Sequence, residues 1–248
     1  MDPRLRIIDK RLKNIKTMIA ISGGKGGIGK SLVASTLSLI LSKLGYKVGL
    51  LDLDFCGPST HIVLGIRGIY PKEEKGIIPP EIYGIKFMSI IYYAGDNPSP
   101  LRGIDISNAI IELLAITRWG PLDFLIIDVP PGIGDTTLDI IRLMKKTGFL
   151  IITTQSKVVL ETVNKVLRML KELGVPIIGV IENMKISKIS FVKEQSKTFN
   201  VPFLGEIDFD EDLEDSIGDI NKLLKTNFAQ NMREIVLSTD KFKLRKEL

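Results

Sequence analysis

Two spacings of apolar residues alternate along most of this chain. Nearly unbroken apolar runs at residues 18–21, 47–54, 85–90, 148–154, 176–181 and 201–207, and one ending at Asp128, have the length and character of strands buried on both faces. Between several of them the apolar residues return every three or four positions, as on a helix that buries one side. Leu32, Val33, Thr36, Leu37, Ile40 and Leu41 form one such stripe, closed by Gly45, and residues 106–117, 158–173 and 220–237 form others. Leu5, Ile8, Leu12 and Ile15 predict a further helix at 4–16, ahead of the first strand. Residues 65–84, rich in Gly, Pro and charge, read as a surface loop. Such alternation predicts a single α/β domain over residues 1–248, a doubly wound, mainly parallel sheet with helices on both faces. A basic N-terminal helix at 1–16 and a basic tail at 238–248 flank it.

Chemistry enters where the first strand meets the first striped helix. Gly24, four residues, then Gly29-Lys30-Ser31 have the G-x-x-x-x-G-K-[ST] spacing of a phosphate-binding loop. The glycines let the backbone curl until successive N–H groups face one concavity. The helix N-terminus beyond adds unpaired N–H donors and a partial positive charge. Gly24, Lys25, Gly26, Gly27, Ile28, Gly29, Lys30, Ser31 and Leu32 are therefore the expected phosphate contacts. Lys30 can reach the outer phosphates, and the Ser31 hydroxyl suits magnesium.

Later strands bring carboxylates to the same sheet edge. The second strand ends in Asp52-Leu53-Asp54, and ligands of open parallel sheets bind at the carboxyl ends of strands. Asp54 is expected to hold magnesium or orient the attacking water, whereas Asp52 fits either the site or a cap or turn. Asp128 ends another strand, in the place of a carboxylate that supports magnesium through its water shell. Pro130-Pro131-Gly132 fixes a turn whose glycine N–H can meet the γ-phosphate. Asp135 reads equally as a site residue or an exposed helix start. Asn183, in Glu182-Asn183-Met184 at the end of the strand at 176–181, offers the donor and acceptor that an adenine edge needs, or fills a turn. Asp208 to Asp212 are candidates for the base pocket.

Composition narrows the classes. With 44% hydrophobic and 25% charged residues in 248, the chain can bury one good core and is neither disordered nor fibrous. No apolar run reaches the roughly 20 residues of a membrane span, and the start lacks the apolar core of a secretion signal, so a cytoplasmic location is expected. The lone Cys56 excludes an internal disulfide and cannot by itself ligate a cluster; it reads as a small buried apolar side chain. His61, the only histidine, reads as a packing or surface residue. The net charge of +5 is spread out, and the basic clusters at Arg4–Lys16 and Lys241–Lys246 read as solvated termini, without a strong nucleic-acid or membrane signal. Glutamine occurs only at Gln155, Gln195 and Gln230, a faint sign of a hot habitat.

Lys25-Gly26-Gly27-Ile28-Gly29-Lys30-Ser31 resembles the signature of the deviant Walker A ATPases, the family of MinD, ParA and the Mrp iron-sulfur carriers. Asp52-Leu53-Asp54-Phe55-Cys56-Gly57-Pro58-Ser59, the run from Trp119 to Asp135, Glu182-Asn183-Met184 and Val201-Pro202-Phe203-Leu204-Gly205-Glu206-Ile207 narrow the resemblance to the Mrp group. It implies a homodimer with ATP sandwiched at the interface, magnesium as cofactor, Lys25 reaching the partner's ATP and Asn183 contacting adenine. Ile133 stands where that group has threonine. Mrp carriers also place a C-x-x-C pair shortly after E-N-M, with which two subunits together hold one cluster; here residues 185–195 contain no cysteine.

The expected function is a magnesium-dependent, slow ATP-hydrolysing dimeric switch of iron-sulfur cluster assembly without its own cluster site. A client or a cysteine-bearing partner protein would then supply the thiolates. The alternatives are a MinD- or ParA-like positioning ATPase acting on membrane or DNA, for which Phe242 and Leu244 in the tail are a slight pointer, and a cluster-free adaptor.

Overall fold

The structure, a computed structural model, describes residues 2–94, 103–187 and 189–244. The helices are α1 (Pro3–Leu12), α2 (Lys30–Lys43), α3 (Thr60–Val63), α4 (Ile91–Ala94), α5 (Ile104–Ile116), α6 (Asp135–Leu143), α7 (Lys157–Glu172), α8 (Phe191–Thr198), α9 (Ile220–Leu223) and α10 (Asn227–Ser238). The strands are β1 (Ile15–Gly23), β2 (Val48–Asp52), β3 (Lys72–Glu73), β4 (Ile77–Ile78), β5 (Glu81–Ile82), β6 (Ile85–Ser89), β7 (Leu122–Asp128), β8 (Thr147–Thr153), β9 (Ile177–Lys185) and β10 (Phe203–Asp208).

Eight strands form one sheet in the order β10-β9-β8-β1-β7-β2-β6-β5, parallel except for β5 against β6. This is the expected doubly wound α/β architecture. The apolar runs became strands because both their faces are covered: Ile19, Ala20 and Ile21 in β1 and Leu125, Ile126 and Ile127 in β7 have no exposed surface. Helix α2 is buried from Val33 to Leu41, whereas α7 buries one face, the apolar stripe Val159, Leu160, Val163, Val166, Leu167 and Leu170 with Asn164 among them. Gly49 is a packing necessity, since a Cβ there would stand 2.9 Å from the buried Trp119 ring. β1 lies in mid-sheet, so the loop that follows it opens at the centre of the carboxyl edge.

Several expected boundaries are corrected. The first helix ends at Leu12, and Ile15 instead opens β1, opposite Leu122. Its apolar side chain serves the sheet. The stripe at 220–237 is two helices, separated at Thr226, whose side chain caps α10. Residues 65–84 are not all loop, for β3 and β4 pair as a small hairpin and β5 joins the main sheet. Cys56 is exposed rather than buried. The tail is not a free apolar face: Phe242 sits in a short 3-10 turn, Asp240–Phe242, and is only 1% exposed. Arg102, Arg245 and Lys246 lie outside the described residues. Among the described residues no helix is long and apolar enough to cross a membrane.

Candidate active site

The loop between β1 and α2 is held on two sides. Gly27 and Gly29 take left-handed φ values of 74° and 84°, which only glycine adopts without strain. Gly24 lies against α7, where a Cβ would overlap the Thr162 hydroxyl and come within 2.8 Å of the Val163 nitrogen. From the other side Asn183 Nδ2 donates to Ile28 O at 2.9 Å. Nothing lies within 4 Å of a Cβ built on Gly26 or Gly27, so the concave side is open. No side chain caps the first turn of α2, which leaves its N–H groups to a ligand.

The charged residues differ sharply in environment. Lys25 is exposed, while Lys30 is 7% exposed, its Nζ 3.5 Å from Lys25 O. Burial lowers the Lys30 pKa, against the pull of Asp128 and Asp54. Asp128, at the end of β7, is level with Asp52 on β2 and Ile21 on β1. It is fully buried, and neither carboxylate oxygen has a hydrogen-bond partner among the described residues. Burial, with the negative charge of Asp52, pushes its pKa up to about 8, while the Ser31 hydroxyl and Lys30 act in the other direction. A buried carboxylate without a partner is costly, and such a cost persists where a ligand relieves it.

The other expected residues separate into those that face the loop and those that build it. Asp52 is a structural residue: Oδ2 accepts from Thr60 Oγ1 at 2.6 Å and Thr60 N at 3.2 Å, and Oδ1 accepts from Asp54 N at 3.0 Å. Burial raises its pKa to about 6 despite those bonds. Asp54 is half-buried and holds the turn after β2, its Oδ1 accepting from Cys56 N and Gly57 N at 3.2 and 3.0 Å. The Gly132 N–H is not presented to the loop but donates to Gly23 O at 2.9 Å, because the turn folds back on β1. Asp135 is exposed in the first turn of α6, so the helix-start reading is the one observed. Asn183 lies inside β9 and is 2% exposed, so it fills no turn after the strand. Asp210 and Asp212 line an open pocket of about 430 Å³ beside α9, and Asp210 also braces its wall, one oxygen accepting from Asp212 N and the other from Phe228 N.

Sequence reasoning missed Thr162 and Val163, which border the loop from a helix some 140 residues away and carry no motif. A cavity of about 720 Å³ lies between α3, β6 and Gly218, with the half-buried His61 in its wall. The loop itself is an open cradle. Among the described residues no group of three or more His, Cys, Asp and Glu side chains is arranged to hold a metal. Magnesium needs less: one hydroxyl and one or two carboxylates, with phosphate oxygens and water completing its shell. Buried Asp128 and nearby Ser31 fit that demand.

Comparison with known proteins places this geometry in a lineage. The sequence model of ParA, described as NUBPL iron-transfer P-loop NTPase, matches residues 14–240. An iron-sulfur cluster carrier protein of Aquifex aeolicus is 42% identical over 160 residues, which are 63% of this chain and 44% of that protein. The chain spans about half the length of the curated relatives it matches. A nucleotide-binding protein of Archaeoglobus fulgidus, solved in complex with ADP, is 30% identical, with TM-score 0.73 over 89% of this chain and 93% of that one. The septum site-determining protein MinD of Pyrococcus horikoshii, complexed with Mg-ADP, shares the fold at 21% identity and TM-score 0.69, over 94% and 99% of the two chains.

Proposed function

Since the chain belongs to the ParA family of NUBPL-type iron-transfer P-loop NTPases, we propose that it is a magnesium-dependent ATP-hydrolysing switch that serves iron-sulfur protein assembly as a dimer. The observation that carries this reading is the buried, unpartnered Asp128 beside a buried Lys30, under a glycine loop with an open concave face. Ser31, Asp54 and, through water, Asp128 would hold the magnesium, which when bound neutralises charge on the phosphate oxygens.

The chain's own residues do the rest. The N–H groups of the loop and of the first turn of α2, through Leu32, bind phosphate oxygens. Lys30 is already desolvated, so its charge acts at full strength on the outer phosphates. Asp54 keeps one oxygen on the Cys56-Gly57 turn and orients water with the carboxylate that remains. Lys25, exposed at the loop's tip, reaches the nucleotide of a second copy. Gly132 meets the γ-phosphate only after its N–H leaves Gly23 O, so arrival of that phosphate moves the 130–134 turn. Asn183 has given one amide hydrogen to Ile28 and keeps its acceptor for an adenine amino group.

The cargo would be held by other chains. Relatives at about 40% identity are named iron-sulfur cluster carriers, yet this sequence has one cysteine and none after Cys56. We assign it the nucleotide-driven half of the task, with thiolates supplied by a client or partner. The test is Lys25→Ala, which should bind ATP as the wild type does while losing roughly a thousandfold in turnover. Unchanged turnover would remove the trans role. Anaerobic reconstitution with iron and sulfide should leave the purified chain without a visible cluster spectrum; a cluster lost in Cys56→Ser would make the chain a carrier itself.

A further inference from the structure

The amino edge of the sheet, at the other end of the strands from the phosphate loop, carries a pocket that nucleotide binding does not use. It holds about 300 Å³ and is walled by the last turn of α1, the β3–β4 hairpin, the start of β6 and the approach to β7. Four of the side chains in its wall are cations, Lys10, Arg11, Lys86 and Arg118, and none is an acid. Lys10 is exposed, and the other three are half-buried.

Carbonyl oxygens position these cations without neutralising them. Arg11 Nε donates to Ala115 O at 3.1 Å, Arg118 Nη1 to Glu74 O at 2.5 Å and Lys86 Nζ to Trp119 O at 2.6 Å. Each bond uses one donor of several, so both guanidinium groups and the ammonium keep N–H groups to give. Among the described residues none of the four is in an ion pair. Nearby carboxylates do not fill the gap. Asp123 takes Lys16 and the Lys47 N–H, Glu112 takes Arg4, Glu73 and Glu74 are exposed on the hairpin, and Glu81, opposite Lys86 across β5, forms no ion pair with it.

The backbone leaves room for the charges to converge. A Cβ built on Gly76 would lie 3.2 Å from both Arg11 Nη2 and Arg118 Cδ, and one on Gly120 would lie 3.4 Å from Lys86 Nζ. Like charges gathered in a half-buried concavity repel one another with less screening than on an open face, and a bound anion removes that cost. Arginine forks match carboxylate and phosphate oxygens two at a time. The site is also small and concave, unlike the long basic groove that tracks a nucleic-acid backbone. We propose that this pocket binds a compact polyanion, one with two neighbouring oxyanion groups such as a diphosphate or a polycarboxylate. Bound there, it ties α1 and the hairpin to the sheet while the phosphate loop stays free for nucleotide.

The chain's one tryptophan, Trp119, stands in the pocket wall, so its fluorescence reports on this site and not on the phosphate loop. With the loop saturated by ADP in EDTA, inorganic pyrophosphate and citrate are titrated separately on the full chain, by calorimetry and by Trp119 emission. At least one is expected to bind once per chain, to change the emission and to weaken with added salt. Arg11→Gln and Lys86→Gln should each weaken it at least about tenfold at unchanged ADP affinity, by loss of a charge-assisted contact. Lys10→Gln, at an exposed position where folding is not at stake, should weaken it roughly two- to fivefold, and Lys165→Gln, exposed on α7, not at all. The stronger of the two probes identifies the ligand as a phosphate or a polycarboxylate. Failure of both probes to bind at about 1 mM, binding abolished by ADP, or affinity unchanged in all three pocket variants would overturn the site. A short DNA duplex that displaces the probe and binds more tightly at the same salt would overturn the compact ligand.

Discussion

Replacing Asp128 by Asn asks the protein to become more stable as it loses function. Asp128 is fully buried without a hydrogen-bond partner, and burial pushes its pKa from 3.8 up to about 8. At pH 7 the folded chain holds a proton that the unfolded chain has released. Taking it up costs about 1.4 kcal/mol per pH unit above the unfolded value, or roughly 4 kcal/mol. An amide of the same shape escapes that cost but buries an NH₂ that needs a partner, a penalty of roughly 1–3 kcal/mol. A net gain of about 2 kcal/mol should raise the melting temperature by roughly 4–8 °C. The sign follows from proton counting: the cost is absent below pH about 4, grows through the window up to about 8, and is constant above it. Melting both proteins in EDTA without nucleotide, from pH 5 to 9, cancels the carboxylates distant from residue 128 in the difference and leaves Asp128 together with Asp52, Asp54 and Lys30, the charges that act on it. Asp128→Asn should be flatter with pH and higher melting at pH 7, and it should lose most of the stabilisation that Mg-ADP gives the wild type. A variant that melts lower at pH 7, or a difference that does not widen as pH rises from 5 to 8, would refute the reasoning.

Three further variants probe the loop and the tail. Gly29→Ala forces a φ of 84° on alanine and drives its Cβ into the Asn183 amide, so melting should drop by several degrees and calorimetric ADP affinity at least about tenfold. Gly26→Ala, whose Cβ meets nothing within 4 Å, should melt as the wild type. Phe242→Ala should cost about 3–5 kcal/mol in denaturant unfolding, because the side chain is 1% exposed, and an unchanged midpoint would mean that the tail is not docked.

The strands and the phosphate loop were legible because their signals are local. Period and glycine spacing are each read within a short stretch, and each terminal carboxylate directly follows its own strand. What escaped depends on partners distant in sequence. Asp52 and Asp54 look alike on the chain, and only Thr60 folding back makes the first a structural residue. Cys56 follows an apolar strand, yet the Asp54 turn swings it to the surface. Gly132 has the right turn chemistry, but where its N–H goes was settled by β1. Helix α8 was missed because it is short and half-exposed, with only Val192 and Ser196 buried.

The strand order has a consequence for how the chain folds. β1 has as neighbours β7, with Ile15 opposite Leu122, and β8, with Met18 opposite Thr147. During synthesis, therefore, nine apolar-rich residues and the glycine loop after them wait unpaired while more than a hundred further residues are made. Pairing across such separations is slow, because loop closure is charged before any contact repays it. β2 is in the same position on one side, since β7 inserts between it and β1. The nucleotide cradle is consequently assembled late: a ligand can stabilise it only after β7 and β8 have entered the sheet, and until then β1 is an open strand on both edges, the kind of surface on which nascent chains aggregate.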